Sequence, residues 1–301
     1  MSIETETQVG AFEKIASGLY LEGLAVDHDR GAIWYSDVIA GGIHGVMRDG
    51  STRSFNAGRM WTGGIMMNAD GSVLSSGPGG IMWNNPDTGK SGWLIHEIDG
   101  QAINGINEMM PDGTGGIYFG TNDIEKVITG ETTRPTALYR LTVERQLIRL
   151  ADGIGFTNGI MLSPDRTRFY CNDTFVCTWA FDVGPDLSLS NKRVFLDKID
   201  VDGMALDAQG NAWITGFRSS HLTRVRPDGT LLEPVQTPAG AITQLRFGGA
   251  DMRDIYFNSV PADGGDGLKD GVLPTRHDSV LYKGRSEVPG MRIDPARFDL
   301  G

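Results

Sequence analysis

Short apolar segments alternate with polar or glycine-containing turns along most of the chain. Six segments share one shape, in which an apolar run leads through a turn into a second apolar run that ends in small polar residues. They are GLAVDHDRGAIWYSDV, GIMMNADGSVLSSG, NEMMPDGTGGIYFGTND, GIMLSPDRTRFYCNDT, GMALDAQGNAWITGF and QLRFGGADMRDIYFNSV, beginning at Gly23, Gly64, Asn107, Gly159, Gly203 and Gln244. Because Asp, Asn and Gly readily adopt the backbone conformations of tight turns, each segment predicts a β-hairpin.

The hairpins recur at a regular spacing. Their turns lie near residues 28, 70, 112, 165, 208 and 250, so successive turns are 42, 42, 53, 43 and 42 residues apart. A repeat of about 40 to 50 residues with several short strands is typical of a β-propeller. The pattern predicts an all-β, six-bladed propeller with four-stranded antiparallel blades around a central channel. We expect a single domain over residues 1–301, with the repeats in about 15–285.

Two segments fall outside the regular repeat. The long fourth interval contains NDIEKVITGETTRP, residues 122–135, which has no apolar face and is interpreted as a loop. A later apolar run, around residues 279–283, predicts a strand that closes the ring together with the N-terminal part of the chain. A TIM barrel would need eight amphipathic helices, and helical periodicity is almost absent. A β-sandwich would have fewer strands and no repeat.

Composition and charge narrow the possible partners. The chain has 42 Gly among 301 residues, which suits many turns, and 38 acidic against 27 basic residues give a net charge of −11. Nucleic acids and anionic membranes would be repelled, so a small molecule is the expected partner. The polar, acidic N-terminus favours a cytoplasmic location. Cys171 and Cys177 could meet across a hairpin, but free, buried thiols are the favoured interpretation.

Polar residues precede the apolar runs, at the point where first strands of a propeller begin around its channel. The residues at these six positions are Glu22, Gly63, Asn107, Asn158, Asp202 and Thr243. Any one of them alone is more simply explained as a turn former beside glycine. Four oxygen donors at equivalent positions of a repeat instead indicate a divalent cation, because two buried carboxylates without a counter-charge would be costly. We therefore expect a metal-binding site in the central channel.

The blade-start motifs LEGLAVD, INEMMPDG, FTNGIMLSPD, VDGMALDAQGNAWIT and QLRFGG resemble those of the SMP-30/gluconolactonase/luciferin-regenerating-enzyme (LRE-like) family of six-bladed propeller lactonases. The resemblance covers about residues 15–260. It implies one divalent ion bound by Glu22, Asn158 and Asp202, with Asn107 as a substrate contact or fourth ligand. Ca²⁺ is the expected ion, and Zn²⁺, Mn²⁺, Mg²⁺ and Fe²⁺ remain alternatives.

The implied chemistry is hydrolysis of a lactone by water that the metal activates, with Asp202 as the proton acceptor. A nucleophilic serine is not indicated, since no G-x-S-x-G motif occurs. The sugar-lactone members place an arginine two residues before the third-blade asparagine, whereas this chain has Gly105 there. Met60, Trp61 and Trp83 are expected at the mouth of the pocket, which favours a lactone or ester less polar than a sugar lactone. An organophosphate or phosphotriester hydrolase and a non-catalytic metal-binding propeller are the alternatives.

Overall fold

The computed structural model describes residues 11–123, 126, 136–263 and 265–301. Most of the segment interpreted as a loop, residues 122–135, lies outside these ranges. The described residues form six four-stranded antiparallel sheets, so the expected six-bladed propeller is confirmed. Strands are numbered β1 to β26 in chain order.

The first three blades are each built from consecutive strands. Blade 1 holds β2 to β5, at Leu21–Asp27, Ala32–Asp37, Ile43–Val46 and Thr52–Phe55. Blade 2 holds β6 to β9, at Ile65–Met67, Val73–Ser75, Ile81–Asn84 and Ser91–Ile95. A small hairpin follows, with β10 at Glu97–Ile98 and β11 at Gln101–Ala102. Blade 3 holds β12 to β15, at Gly105–Pro111, Ile117–Asn122, Thr136–Leu141 and Leu147–Ile154.

The next two blades repeat this plan, and the last one joins distant parts of the chain. Blade 4 holds β16 to β19, at Thr157–Leu162, Arg168–Asp173, Cys177–Val183 and Leu189–Leu196. Blade 5 holds β20 to β23, at Val201–Leu206, Ala212–Gly216, His221–Val225 and Leu231–Gln236. Blade 6 holds β24 to β26, at Ala241–Gly248, Asp254–Val260 and Ser279–Arg285, with β1, Glu13–Gly18, as its outer strand. A short 3-10 helix, Leu268–Asp270, lies between β25 and β26.

The first strands of the blades form the inner ring of the propeller. Each of β2, β6, β12, β16, β20 and β24 contacts the first strand of the next blade, and β24 returns to β2. Between blades, the sheets bury large side chains such as Trp34, Tyr118, Phe169 and Trp213. The predicted closing strand is confirmed as β26, which pairs with β1. The N-terminal part of the chain therefore completes the ring.

Aspartates in the hairpin turns explain the turn motifs found in the sequence. Asp112 Oδ1 accepts hydrogen bonds from the backbone amides of Thr114 and Gly116, at 2.7 and 2.9 Å. Asp207 Oδ2 accepts a hydrogen bond from Trp213 Nε1 at 3.1 Å, and Asp27 Oδ2 accepts one from Trp34 Nε1 at 3.3 Å. These carboxylates are buried but hydrogen-bonded, so they fix each turn to the strand that follows it.

The segment after β26 crosses the channel end that lies opposite the strand starts. Met291 N donates to Leu206 O at the end of β20, and Ala296 N donates to Met67 O at the end of β6. Arg297 N donates to Gly115 O in the turn after β12. Residues 286–301 thus bind blades 2, 3 and 5 and cover this end of the channel.

Cys171 and Cys177 are both buried and form no disulfide bond, as favoured above. The strand register places Cys171 opposite Trp179 and Cys177 opposite Asp173. Among the residues that the structure describes, no helix is long and apolar enough to cross a membrane.

Candidate metal centre

In four of the blades, a β-bulge in the first strand positions one of the candidate metal ligands. The pairing register of β2 shifts between Leu21 and Leu24, where Glu22 lies, and equivalent shifts in β12, β16 and β20 contain Asn107, Asn158 and Asp202. Such bulges leave residues outside the regular ladder and redirect their side chains. The four side chains consequently line a single cavity at the start of the first strands.

The glycine after a donor residue is required because neighbouring strands approach closely. A Cβ atom on Gly159 would lie 2.5 Å from Met204 N, and one on Gly203 would lie 2.6 Å from Thr243 O. A larger residue would push the adjacent backbone away and displace Asn158 or Asp202 with it. The Asn-Gly and Asp-Gly pairs in the sequence therefore mark close packing between blades, in addition to the donors themselves.

Polar side chains near the ends of the second strands hold these irregular segments in place. Each donates a hydrogen bond to a backbone carbonyl oxygen of the next blade, and we call them the inter-blade clamps: Ser36, Ser76, Asn172, Thr215 and Asn258. Asn172 Nδ2 donates to Asp202 O at 2.6 Å, and Asn258 Nδ2 donates to Glu22 O at 2.8 Å. The small polar residues near the ends of the second strands thus hold the backbone of the candidate metal ligands in place.

The cavity has a volume of about 310 Å³ and walls of two kinds. The polar part includes Glu22, Asn107, Asn158 and Asp202, together with Tyr20, Asn122, Thr174, Arg218 and Asp266. The apolar part includes Trp61, Phe156, Phe175, Phe217 and Leu268. The ring centroids of Phe156 and Phe175 are 6.3 Å apart, and those of Phe175 and Phe217 are 5.5 Å apart. One side of the cavity is therefore a continuous aromatic wall.

The two carboxamides are joined by a short hydrogen-bonded chain. Asn107 Nδ2 donates to Asn158 Oδ1 at 2.5 Å, and Asn158 Nδ2 donates to Thr174 Oγ1 at 2.8 Å. Thr174 Oγ1 in turn donates to Val201 O at 2.7 Å. This chain fixes the orientation of both amides and leaves Asn158 Oδ1 with a second lone pair toward the cavity.

The two carboxyl groups of the site share an unfavourable environment. Burial raises the pKa of Asp202 well above its ordinary value, and the charges of Glu22 and Glu108 raise it further. Burial also raises the pKa of Glu22 to about 8, and a hydrogen bond between Glu22 and Asp202 partly opposes that rise. Asp202 Oδ1 is buried without a hydrogen-bond partner among the described residues. The pair therefore retains a proton near neutral pH unless a cation compensates its charge.

We expect the chelated protein to lose stability as the pH rises from about 4.5 to 8. Below pH 4.5, Glu22 is protonated in the folded and unfolded chains alike, whereas between 4.5 and 8 only the folded chain keeps the proton. The unfolded chain then binds fewer protons, so the free energy of unfolding falls with pH. Thermal unfolding at several pH values measures this slope. Glu22→Gln should flatten it and the exposed Glu144→Gln should leave it unchanged; equal slopes in all three proteins would contradict the assignment.

A buried ion pair lies beneath the cavity, next to the donor residues. Arg246 Nη2 is 3.4 Å from Glu108 Oε2, and Gln244 Nε2 donates to the same oxygen at 2.6 Å. Burial raises the pKa of Glu108, and the charge of Arg246 opposes that rise. Gln244 and Arg246 were not expected near the site, because the sequence places each of them within an apolar run that is typical of the protein core.

The donor set fits a hard divalent cation. Two carboxylates and two carboxamides converge, and the unpaired Asp202 Oδ1 is the kind of buried group that a cation would satisfy. Across the described ranges, no three His, Cys, Asp or Glu side chains are grouped so as to hold an ion. A metal here would consequently depend on the asparagine oxygens as well as on Glu22 and Asp202.

The structure separates the three residues expected at the pocket mouth. Trp61 lines the cavity, whereas Met60 is not among the described lining residues. Trp83 is 8% exposed and lies in the core of blade 2, where its indole packs against Gly92, so its expected position at the mouth needs correction. The aromatic wall instead comes from Phe156, Phe175 and Phe217 of blades 4 and 5. Phe175 follows β17 and Phe217 follows β21, the second strands of their blades, where no site residue was expected.

Residues 21–260 match the family model described as SMP-30/gluconolactonase/LRE-like region. Regucalcin of Danio rerio is 29% identical over 173 residues, 55% of this chain and 58% of that protein, so the match spans little more than half of it. Pentonolactonase XacC of Haloferax volcanii is 22% identical over 256 residues, 81% of this chain and 82% of its own length.

A solved structure gives the same fold over nearly the whole chain. The calcium-binding protein regucalcin from Agrobacterium tumefaciens superposes with a TM-score of 0.79 at 20% identity, covering 96% of this chain and 98% of that one. With the family model matching most of the sequence, the chain belongs to the SMP-30/gluconolactonase/LRE-like family.

Proposed function

We propose that this protein is a divalent-metal-dependent hydrolase that opens a lactone. The observation that carries the proposal is the convergence of two carboxylates and two carboxamides in one cavity, with Asp202 Oδ1 buried and unpaired. The names of the family and of the Haloferax pentonolactonase support lactone opening as the reaction. Glu22, Asn158 and Asp202 are the proposed metal ligands, and Asn107 is a substrate contact or a fourth ligand.

The proposed chemistry divides between the ion and the protein. A divalent ion held by Glu22, Asn158 and Asp202 would polarise an ester carbonyl and lower the pKa of water. Asp202 is the proposed acceptor for the proton of the attacking water, since its carboxylate borders the cavity. Glu22 supplies the second negative charge that binds the ion, and the Asn107–Asn158 hydrogen bond holds both amides in place. Ca²⁺ is the proposed ion because all four donors are hard oxygen ligands.

The proposed substrate is less polar than a sugar lactone. The rings of Phe156, Phe175 and Phe217 offer a polyol no hydrogen bonds, so a sugar bound against them would leave hydroxyl groups unpaired. An apolar or aromatic substituent would instead bury its surface against these rings. The aromatic wall is therefore the feature that favours an alkyl or aryl lactone.

A pH-indicator assay tests the proposal directly, because opening a lactone releases a proton. The purified protein, loaded in turn with Ca²⁺, Zn²⁺, Mn²⁺, Mg²⁺ or Fe²⁺, would be offered glucono-δ-lactone, δ-valerolactone, dihydrocoumarin and paraoxon. We expect turnover of dihydrocoumarin to exceed that of gluconolactone. Hydrolysis of paraoxon alone would favour a phosphotriester hydrolase, and bound metal without any turnover would favour a non-catalytic metal-binding propeller.

A further inference from the structure

Asn122, the last residue of β13, lies in an unusual environment for a buried amide. It lines the cavity and is 3% exposed, yet neither Nδ2 nor Oδ1 has a hydrogen-bond partner among the described residues. A carboxamide can donate two hydrogen bonds and accept two. Native proteins rarely leave such a group unpaired, because burying it without partners is unfavourable. The side chain therefore lacks the partners that a purely structural asparagine would have.

Equivalent positions in two other blades show what a structural residue does at this point. Asp37, Thr121 and Asp173 each pair with the residue before the bulge of a first strand, so Asn122, the next residue, corresponds to Val38 and Thr174. Both of these residues line the same cavity. Thr174 Oγ1 accepts from Asn158 Nδ2 at 2.8 Å and donates to Val201 O at 2.7 Å, and Val38 has no polar side-chain atom to satisfy. Asn122 has neither the hydrogen bonds of Thr174 nor the apolar side chain of Val38.

The surroundings of Asn122 leave its amide open to the cavity. Its cross-strand neighbour is Gly105, which has no side chain to cover it, and Asn107 lines the same cavity two residues further along β12. Across the cavity, Phe175 is 58% exposed, and both it and Trp61 have positive φ angles, of 74° and 61°. Aromatic residues in this strained conformation are concentrated at ligand-binding sites. The cavity thus combines an aromatic wall with one unpaired amide.

We propose that Asn122 is a substrate-binding residue that recognises a neutral polar group on a weakly polar lactone. Nδ2 donates to an acceptor of the substrate and Oδ1 accepts from a hydroxyl or N–H group, while the apolar part of the substrate lies against the aromatic wall. This inference rests on the proposed function and specifies its substrate class. A lactone with one hydroxyl matches the site, since a polyol would leave hydroxyl groups against the rings.

Two lactones that differ by a single hydroxyl test this recognition. Pantolactone and β,β-dimethyl-γ-butyrolactone would be assayed with the metal-loaded wild type and with Asn122→Leu. We expect the variant to raise KM for pantolactone by about 10-fold at unchanged kcat, which is the effect of losing one or two neutral hydrogen bonds. KM for the lactone without the hydroxyl should change by less than about twofold, and bound metal should stay the same. Equal changes for both lactones would overturn the inference.

Thermal unfolding separates substrate binding from a structural role. Asn122→Leu should leave the melting temperature unchanged or raise it, because an unpaired amide is replaced by an apolar side chain of similar size. For comparison, Asp37→Leu removes a hydrogen-bonded structural side chain and should lower it, since four backbone amides lose their acceptor. A lower melting temperature for Asn122→Leu with unchanged KM would show that the amide is structural.

A failure of the proposed lactonase function can be distinguished from a failure of the inference about Asn122. If the wild type opens neither lactone with any of the five ions, the reaction is wrong for these substrates. The binding inference then depends on pantolactone as a ligand: it should raise the melting temperature of the metal-loaded wild type and not that of Asn122→Leu. An equal response of the two proteins would overturn it.

Discussion

Asp202→Asn is expected to lower kcat/KM for lactone opening by about 10³-fold, in the range that a positioned general base contributes. An amide is isosteric with the carboxylate but cannot accept the proton of the attacking water, and it removes one of the two charges that would bind the ion. Asp202 is buried, and burial raises its pKa well above the ordinary value, so its loss also relieves an unfavourable charge in the metal-free protein. We therefore expect the fold to be retained, and the melting temperature of the metal-free variant to be at least that of the metal-free wild type.

Three measurements distinguish this loss of activity from unfolding. Steady-state kinetics give kcat/KM, mass spectrometry of the intact protein gives bound metal, and circular dichroism follows unfolding. The exposed Asp228→Asn, in a turn of the same blade, is the matched control and should behave as wild type. Normal turnover by Asp202→Asn would remove this carboxylate from the mechanism. A large drop in melting temperature with metal still bound would instead indicate a structural role.

Metal removal is the second change for which we expect a large effect. Chelation should abolish lactone opening and lower the melting temperature by about 5 to 10 °C, because an ion present at 100 times its dissociation constant stabilises the folded chain by about 2.7 kcal/mol. Removing the ion leaves Glu22 and Asp202 facing each other without compensation, with Glu108 nearby. Adding back Ca²⁺ should restore both properties.

The control for metal removal is Glu22→Gln, which keeps the shape of the site but removes one of its two charges. Its melting temperature should respond to Ca²⁺ only at higher concentrations than that of the wild type, since affinity falls with ligand charge. Full turnover by the chelated wild type would refute the metal-dependent mechanism. A fall in melting temperature without any measurable reaction to lose would support an ion that only joins the blades.

The repeat predicted the fold because a propeller blade depends on local signals. Each hairpin carries its own turn residues, and the buried aspartates Asp27, Asp112 and Asp207 bind the turn or the strand that follows. Spacing then gives the number of blades, and the apolar run at residues 279–283 gives the closing strand. These properties depend on residues near one another in the chain, which a single sequence displays.

The site was only partly accessible from the sequence. Donor residues followed by glycine indicated where the first strands begin, and Glu22, Asn107, Asn158 and Asp202 do line one cavity. Trp83 was expected at the mouth but lies in β8, the third strand of blade 2, which β6 and β7 separate from the channel.

Asn122 and Phe217 were missed for a different reason. Each lies at or just after the end of a second strand, and its distance from the donors depends on how neighbouring blades pack. The signal that could have found both is the comparison between blades, because Asn122 and Phe217 stand at the repeat position of Val38 and Thr174. All four residues line the cavity.

The inter-blade clamp from Asn258 to Glu22 has a consequence for the order of events during folding. It joins residues 236 positions apart, and it forms only when blade 6 packs against blade 1. Loop closure over such a separation is slow, so the backbone of Glu22 is fixed late, after the hairpins have formed. A chain whose ring is still open holds Asn158 and Asp202 on adjacent blades but lacks Glu22, the third proposed ligand. If these residues bind the ion as proposed, we expect high-affinity cation uptake to coincide with ring closure, so that its rate reports the last step of folding.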